Sequence, residues 1–364
     1  MDTPYVAVIL VIFLVLAGLV IDVGYLYVDR EELVRGAEQG ALAGVHSLHD
    51  RFLAQLRQHP DDLAAVLEDT TQATVRRAVR SAVLGGHESA AVIGVGSGRG
   101  DETGGDDEIL VGHWDDRSGR FLPGETPVNA VQVTTHRTAE HSRVGIGTLG
   151  TSLSRLVGVD ETGTTATAIA ALKPFFRPGG ALKEDLVPSS CRFPVICTLP
   201  ATRFSLSGDG GYATPLTVGI SGVDTLSGFV CRREPRQDVC GKTITLLEDR
   251  SNRILADLAT LMEDPAIDAP HKELDPSADR VSGWWTLFPV VSGAVGEQHL
   301  VTRYALVRIT RICAGDATGC GGKRSSSPGC DRGTPGITID RLSWVDCDPS
   351  GQHPFPGFDP ILVR

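Results

Sequence analysis

The residues with most chemical potential in this 364-residue chain are eight cysteines, Cys191, Cys197, Cys231, Cys240, Cys313, Cys320, Cys330 and Cys347, with none in the first 190 positions. Their spacings include C-x5-C, C-x8-C, C-x6-C, C-x9-C and C-x16-C, and no C-x-x-C pair occurs. A structural zinc site draws two of its ligands from such close pairs, so this set does not fit one. An even count confined to one part of a chain instead predicts disulfides formed in an oxidising compartment. The neighbours in sequence, Cys191–Cys197 and Cys231–Cys240, are the expected local pairs, and spacing leaves the other connections open.

Other constellations carry less. Gly145-Ile146-Gly147-Thr148-Leu149-Gly150 matches G-x-G-x-x-G by letter. A dinucleotide site also needs a buried strand before it and an acidic residue ending a second strand; here Glu140 to Val144 precede it and Asp160-Glu161 sit in a turn. Asp249-Arg250-Ser251-Asn252-Arg253 has the first two positions of a D-x-S-x-S metal loop, but Arg253 replaces the second hydroxyl. Asp249 therefore reads as a cap for the helix that follows. The acidic loop Asp101, Glu102, Asp106, Asp107, Glu108 lacks the ordered ligand spacing of a calcium hand and reads as solvated surface. His46 with His49, and His136 with His141, have no third ligand nearby in sequence. No G-x-S-x-G, H-E-x-x-H or Walker loop occurs. No catalytic residue, cofactor site or metal site is assigned, and the chain does not read as an enzyme.

The elements that position these residues begin with a membrane-type segment. Tyr5 to Ile21 is an uncharged run, and counting on to Val28 brings it past the ~20 residues that cross a bilayer. Tyr25 and Tyr27 stand where interfacial aromatics belong, and Asp22 falls at the distal membrane edge, not at mid-bilayer. No basic n-region precedes the run and no polar mature start follows Ala17-Gly18, so an uncleaved anchor is expected, not a signal peptide. Leu33, Ala37, Ala41, Val45, Leu48, Phe52 and Leu56 recur at helical spacing and predict an amphipathic helix to about Gln58, continuous with the spanning one. On it, Gly36, Gly40 and Gly44 repeat every fourth residue. Each glycine costs a helix about 1 kcal/mol against alanine, which suggests close approach of another backbone, within the chain or from another subunit.

A second helix is expected from Asp61 or Asp62 through Leu84, closed by Gly85-Gly86. Strands are expected at Ala90–Val95, Ile109–Val111, from Val128 and at Thr164–Leu172, with a short helix at Ser152–Val157. The cysteine-bearing part has short apolar runs at Leu216–Ile220, Thr243–Leu247, Trp284–Val291 and Leu300–Ile312, with one helix at Ser251–Met262. The expected architecture is one transmembrane helix continuing into an amphipathic helix, then α+β structure, then a β-rich, disulfide-stapled C-terminal module. The corresponding domains are a membrane anchor (1–28), a helical hairpin-like stalk (29–86), a small β-rich region (87–185) and a cysteine-containing β-rich module (186–364). The 42 glycines and 21 prolines agree with turn-rich β structure. A net charge of −11 leaves no basic excess to release counterions from a phosphate backbone, which argues against nucleic acid as a partner.

Asp22-Val23-Gly24-Tyr25-Leu26-Tyr27, Leu33 and Ala37 to Gly44 resemble the motif that follows the membrane helix in Tad-like (TadE/TadG) proteins of bacterial Flp pilus assembly. Gly112-His113-Trp114-Asp115-Asp116-Arg117-Ser118-Gly119-Arg120-Phe121, Asn129 to Arg137 and Thr164 to Leu172 are similar to the β-rich region of TadG-like proteins. The resemblance spans about residues 5 to 172. It implies a non-enzymatic, single-pass protein of the bacterial inner membrane, with its C-terminal bulk in the periplasm and pilin or assembly proteins as partners besides the lipid bilayer. Asp22, Gly24, Gly36, Gly40 and Gly44 would be its structural and interaction residues. The family's basic stretch and glycine before the apolar run are absent, so prepilin-type processing is not expected. An envelope-anchored binding or adhesion module unrelated to pili is the alternative.

Overall fold

In the computed structural model, the described residues are 3–58, 72–85, 109–115, 118–126, 128–137, 149–150, 161–162, 164–173, 177–184, 190–193, 195–205, 210–213, 222–234, 237–247, 249, 251–277, 280–295, 298–324, 330, 335–347 and 359–363. The expectations for Ala90–Val95, Ser152–Val157, Leu216–Ile220 and the acidic loop lie outside them. The chain forms two compact units, and neither is one continuous stretch. The first comprises 1–49, 69–172 and 360–364, and the second comprises 50–68 and 173–359.

In the first unit, helix α1 (Thr3–Gln58) is unbroken from the apolar run into the amphipathic stretch, as its periodicity predicts. Helix α2 (Gln72–Gly85) follows, ending at the glycine pair. Strands β1 (Ile109–Asp115), β2 (Arg120–Pro123), β3 (Ala130–Arg137), β6 (Thr164–Lys173) and β15 (Asp359–Val363) form one sheet in the order β15-β6-β3-β1-β2. A separate two-stranded ladder joins β4 (Leu149–Gly150) to β5 (Glu161–Thr162). Side chains alternate across the main sheet, as strand geometry requires. Ile109, Val111, Val131, Val133, Ala166, Ala170 and Leu172 face the helices, meeting Leu33, Ala41, Val45, Val75, Val79 and Val83. Trp114, Ala130, Ala171 and Val363 share the other face. The last strand in sequence thus covers the edge of β6, a ten-residue ladder that would otherwise be left open to pairing.

The second unit contains β7 (Gly179–Lys183), β8 (Cys197–Phe204), β9 (Gly210–Ala213), helix α3 (Val223–Arg232), β10 (Thr243–Leu247), helix α4 (Arg253–Glu263), β11 (Lys272–Asp275), β12 (Arg280–Val295), β13 (Gln298–Cys313) and β14 (Gly336–Asp346). The sheet order is β11-β12-β7-β9-β10-β13-β14-β8, and β12 also pairs with β13. Strands β12, β7, β9, β10 and β13 therefore close a ring, with β11 attached at β12 and β14-β8 at β13. Along the β12–β13 hairpin, Trp284, Phe288, Val290, Ala305, Val307 and Ile309 pack with Leu226, Val230, Ile254, Leu255 and Leu258 of α3 and α4. The alternate residues Trp285, Leu287, Val301, Tyr304 and Leu306 pack with Phe52, Leu53 and Leu56 from the end of α1. A sheet covered on both faces explains why these strands read as continuous apolar runs.

All eight cysteines are paired: Cys191–Cys197, Cys231–Cys320, Cys240–Cys347 and Cys313–Cys330. The expected Cys191–Cys197 pair is present, whereas Cys231–Cys240 is not. Cys231 ends α3 and turns towards the 3-10 turn at Cys320–Gly322, while Cys240 lies before β10 and reaches the end of β14. The sheet order, not the proximity of the two cysteines in sequence, decides these partners.

Candidate functional site

Three features carry functional weight: the exposed apolar helix, the glycine-bearing helix face, and the polar groups buried in the second unit.

From Tyr5 to Val28, α1 presents large apolar side chains to its surroundings: Ile9 is 66 % exposed and Phe13 68 %. A stable water-facing surface does not hold so long an apolar helix uncovered. The helix is long and apolar enough to cross a membrane. Asp22, between exposed Ile21 and Val23, is itself buried. One further turn pair along, buried Asp29 accepts a 3.0 Å hydrogen bond from the Thr164 hydroxyl through Oδ2. Gly24 has nothing within 4 Å of the place a Cβ would occupy.

The glycine repeat lies where α1 enters the first unit, and Gly36, Gly40 and Gly44 are all buried. A Cβ on Gly40 would sit 2.8 Å from Val83 Cγ2 and 3.3 Å from Val133 Cγ1. One on Gly44 would sit 2.9 Å from Val131 Cγ1 and 3.0 Å from Val79 Cγ2. The groove that Gly40 and Gly44 open is filled by valines of α2 and β3 of the same chain. Thr135, fully buried on β3, donates its hydroxyl towards Leu33 O (3.0 Å) and Ala166 O (3.3 Å), a second polar tie of helix to sheet beside Thr164–Asp29.

In the second unit, Asp268 stands at the centre of a cationic group. Its Oδ1 lies 2.5 Å from Arg177 Nη1 and its Oδ2 2.8 Å from Arg233 Nη2. Burial would raise its pKa, but the Arg233 and Arg177 charges, aided by His271, hold it below the usual carboxylate range. Lys272 donates 2.5 Å bonds to the carbonyls of Leu261 and Asp264. Burial brings its pKa down to about 8, against the pull of Asp268 and Asp264. Arg233 and Lys272 also lie over the Trp284 ring, at 5.1 and 5.5 Å from its centroid. Each charge is spoken for by protein, which makes this a tertiary joint and not a ligand cradle.

Asp249 caps α4 from a distance. Its Oδ2 accepts from Ile254 N at 2.7 Å and its Oδ1 from Ser251 N at 2.9 Å, while Asn252 holds the N-cap position without a side-chain bond. The fragmentary metal-loop letters at Asp249 and Ser251 are thus used in backbone capping. Within α4, Asp257 is fully buried and belongs to no sequence motif. Its signal in the sequence is a lone carboxylate inside Ile254-Leu255-Ala256-Asp257-Leu258-Ala259. Burial raises its pKa, opposed by a hydrogen bond from Ser227 and the charge of Arg253. Among the described residues, Cys231, Asp257 and Cys320 are grouped closely enough to surround a metal ion, but the two sulfurs are bonded to each other. A disulfide leaves one carboxylate, which is no metal site.

His46 is exposed and His49 buried on α1, and His136 is half-buried on β3. His141 and most of the Gly145–Gly150 match lie outside the described residues; Leu149-Gly150 forms β4.

Residues 3–47 match the family described as putative Flp pilus-assembly TadE/G-like, and residues 59–170 match the one described as putative Tad-like Flp pilus-assembly. Those two stretches contain α1 up to the end of the glycine repeat, α2, and the strands from β1 to β6. No curated protein and no solved structure matches the chain.

Proposed function

We propose, from the premise that the chain belongs to the Tad-like family of Flp pilus-assembly proteins, that it is a non-enzymatic, single-pass component anchored in the bacterial inner membrane. Its two folded units project into the periplasm and contact pilin or other assembly proteins. The observation that carries this reading is the continuity of α1, which runs without a break from an exposed apolar segment into the core of the first unit. A rigid helix of this kind transmits position, and it suits a mechanical part. Four disulfides in the second unit favour an oxidising compartment for the C-terminal bulk. Within the membrane segment, Asp22 and Gly24 are the positions for contact with a neighbouring helix. Gly36, Gly40 and Gly44 serve the protein's own packing.

Deletion of the gene is expected to reduce surface pili while leaving growth intact, and normal piliation in the deletion strain refutes the role. Co-purification from solubilised membranes should recover pilin or the secretion ATPase. Orientation is tested by a reporter fused after Val187: activity of an export-dependent reporter supports a periplasmic bulk, and activity of a cytoplasm-only reporter overturns it.

A further inference from the structure

Four disulfides are present, but their sulfurs meet different surroundings. Cys191 and Cys313 are buried and their partners Cys197 and Cys330 half-buried, whereas in Cys231–Cys320 and Cys240–Cys347 both cysteines are half-buried. Cys231 Sγ lies 3.4 Å from Asp257 Oδ1, and Cys320 Sγ lies 3.7 Å from the Asp257 carbonyl. Cys231, in a disulfide, has no proton to donate, so that contact is a bonded sulfur against a carboxyl oxygen. The other carboxyl oxygen, Oδ2, is buried and has no hydrogen-bond partner among the described residues. Three elements press together here. Gly319 sits so close to α4 that a Cβ on it would fall 2.2 Å from Ala256 O. Exposed Gly321 and Gly322, both at positive φ, follow Cys320 in the chain.

We propose that Cys231–Cys320 is a thiol–disulfide exchange site in which Asp257 is the general acid, and that its substrate class is a dithiol carrier.

The carrier's thiolate attacks Cys320 Sγ, the sulfur next to the exposed glycines, and forms a mixed disulfide. The Cys231–Cys320 bond breaks, and its electron pair goes to Cys231 Sγ, which takes the proton from Asp257. The carrier's second thiol, deprotonated by solvent, then displaces Cys320 Sγ, which is protonated from solvent. The carrier leaves as a disulfide, having lost two electrons, and the protein has gained two thiols. Asp257 regains its proton from water. Exchange depends on how well the leaving sulfur is stabilised, and a positioned acid lowers that barrier where an ionised carboxylate would raise it. Burial raises the pKa of Asp257 from the ordinary carboxylate value, so it holds its proton to higher pH than an exposed aspartate. The groups facing it are Ser227 from α3, Arg253 one turn earlier on α4, and Asp249 before that helix. The nearest parallel, Cys313 beside Arg203 Nη2 at 3.3 Å, has a fixed cation in place of an acid and so no titrating donor.

The experiment uses the full chain in detergent, with dithiothreitol as the dithiol. Opening of each bond is followed by acid quench, alkylation and peptide mass spectrometry, and the rate is divided by the thiolate concentration at each pH. For Cys231–Cys320 the corrected rate is expected to fall as pH rises through the titration of Asp257, while that of Cys240–Cys347 stays level. Asp257→Asn should slow the opening of Cys231–Cys320 about a hundredfold at pH values below the titration of Asp257 and flatten its profile. Ser227→Ala removes a bond that favours the charged carboxylate, so the fall should move to higher pH; this variant carries the test if Asp257→Asn does not fold. A level corrected rate in the wild type overturns the proposal, and so does an unchanged rate in Asp257→Asn.

Discussion

The two units of this chain solve the same problem with different materials. The first closes two helices onto a five-stranded sheet with Val, Ala, Leu and Ile, and it lets valine side chains reach the α1 backbone at Gly40 and Gly44. It contains no cysteine. The second builds on Trp284, Trp285, Trp344, Tyr304 and Phe288, and adds four disulfides and the Asp268 ion group. Small residues give cohesion through close fit over many weak contacts. Large aromatics bury more area each, but they leave irregular strands and long connections that covalent links restrain. The first unit should therefore be sensitive to added volume, and the second to lost volume and to reduction.

The largest effect expected is Trp284→Ala. The side chain is 1 % exposed and carries Arg233 and Lys272 over its ring, so truncation should cost about 3–5 kcal/mol. Hydrogen exchange should show the loss in β12, β13 and α4, with α2 and β3 unchanged. Equal loss in both units would end the comparison. Next comes the paired change Cys240→Ser with Cys347→Ser, which opens a link 107 residues apart in sequence. About 2–4 kcal/mol, the usual loss for a removed disulfide, is expected, read as a lower urea midpoint for the second unit only.

The ion group gives the second unit a pH signature. Lys272 has a folded pKa of about 8 against an ordinary 10.5, so between those values the unfolded chain binds more protons. Stability of the second unit should rise from pH 8 to 10.5 and be flat just below 8. Asp268 works in the opposite range: its lowered folded pKa stabilises the fold above its ordinary 3.8 and is lost as acid protonates it. Lys272→Met should abolish the alkaline rise, and a rise that persists would assign it elsewhere.

For the first unit the telling change adds atoms. Gly44→Leu forces a side chain against Val131 and Val79 and should cost about 1–3 kcal/mol, even though leucine is the better helix former. Gly24→Leu, with open space around it, should cost nothing in thermal unfolding of the detergent-solubilised chain. If the two behave alike, close fit is not what holds the first unit.

Most of the helical frame was legible in the sequence, because 3.6-residue periodicity from Leu33 to Leu56 is a local signal and α1 follows it to Gln58. The strand at Thr243–Leu247 was legible for the same reason, being a short apolar run bounded by polar residues. Non-local pairing was not. The partners of Cys231 and Cys240 depend on a strand order that closes a ring, and β15 joins a sheet whose other strands precede it by nearly two hundred residues. The glycine repeat announced a close approach without naming what approaches, since Val79, Val83, Val131 and Val133 look like any core valines until the fold brings them together. Asp257 was hidden because a lone aspartate in an apolar helix belongs to no motif.

The smallest effect asks whether close fit is all that the first unit has. Thr135→Val keeps the shape and removes the hydroxyl that reaches Leu33 O at 3.0 Å and Ala166 O at 3.3 Å. The Leu33 carbonyl sits inside α1, where the amide four residues on still serves it, so the change leaves no orphaned acceptor on the helix. The expected loss is therefore only the net value of one hydrogen bond, about 1 kcal/mol, and not a desolvation penalty. A thermal shift of a few degrees confined to the first unit, with the α1 amides near Leu33 exchanging faster, would mark Thr135 as a polar point that sets the register of helix on sheet. No shift would mean that the valines and glycines, with the Thr164–Asp29 bond, set it without Thr135, which would sharpen the contrast with the ion-stapled second unit.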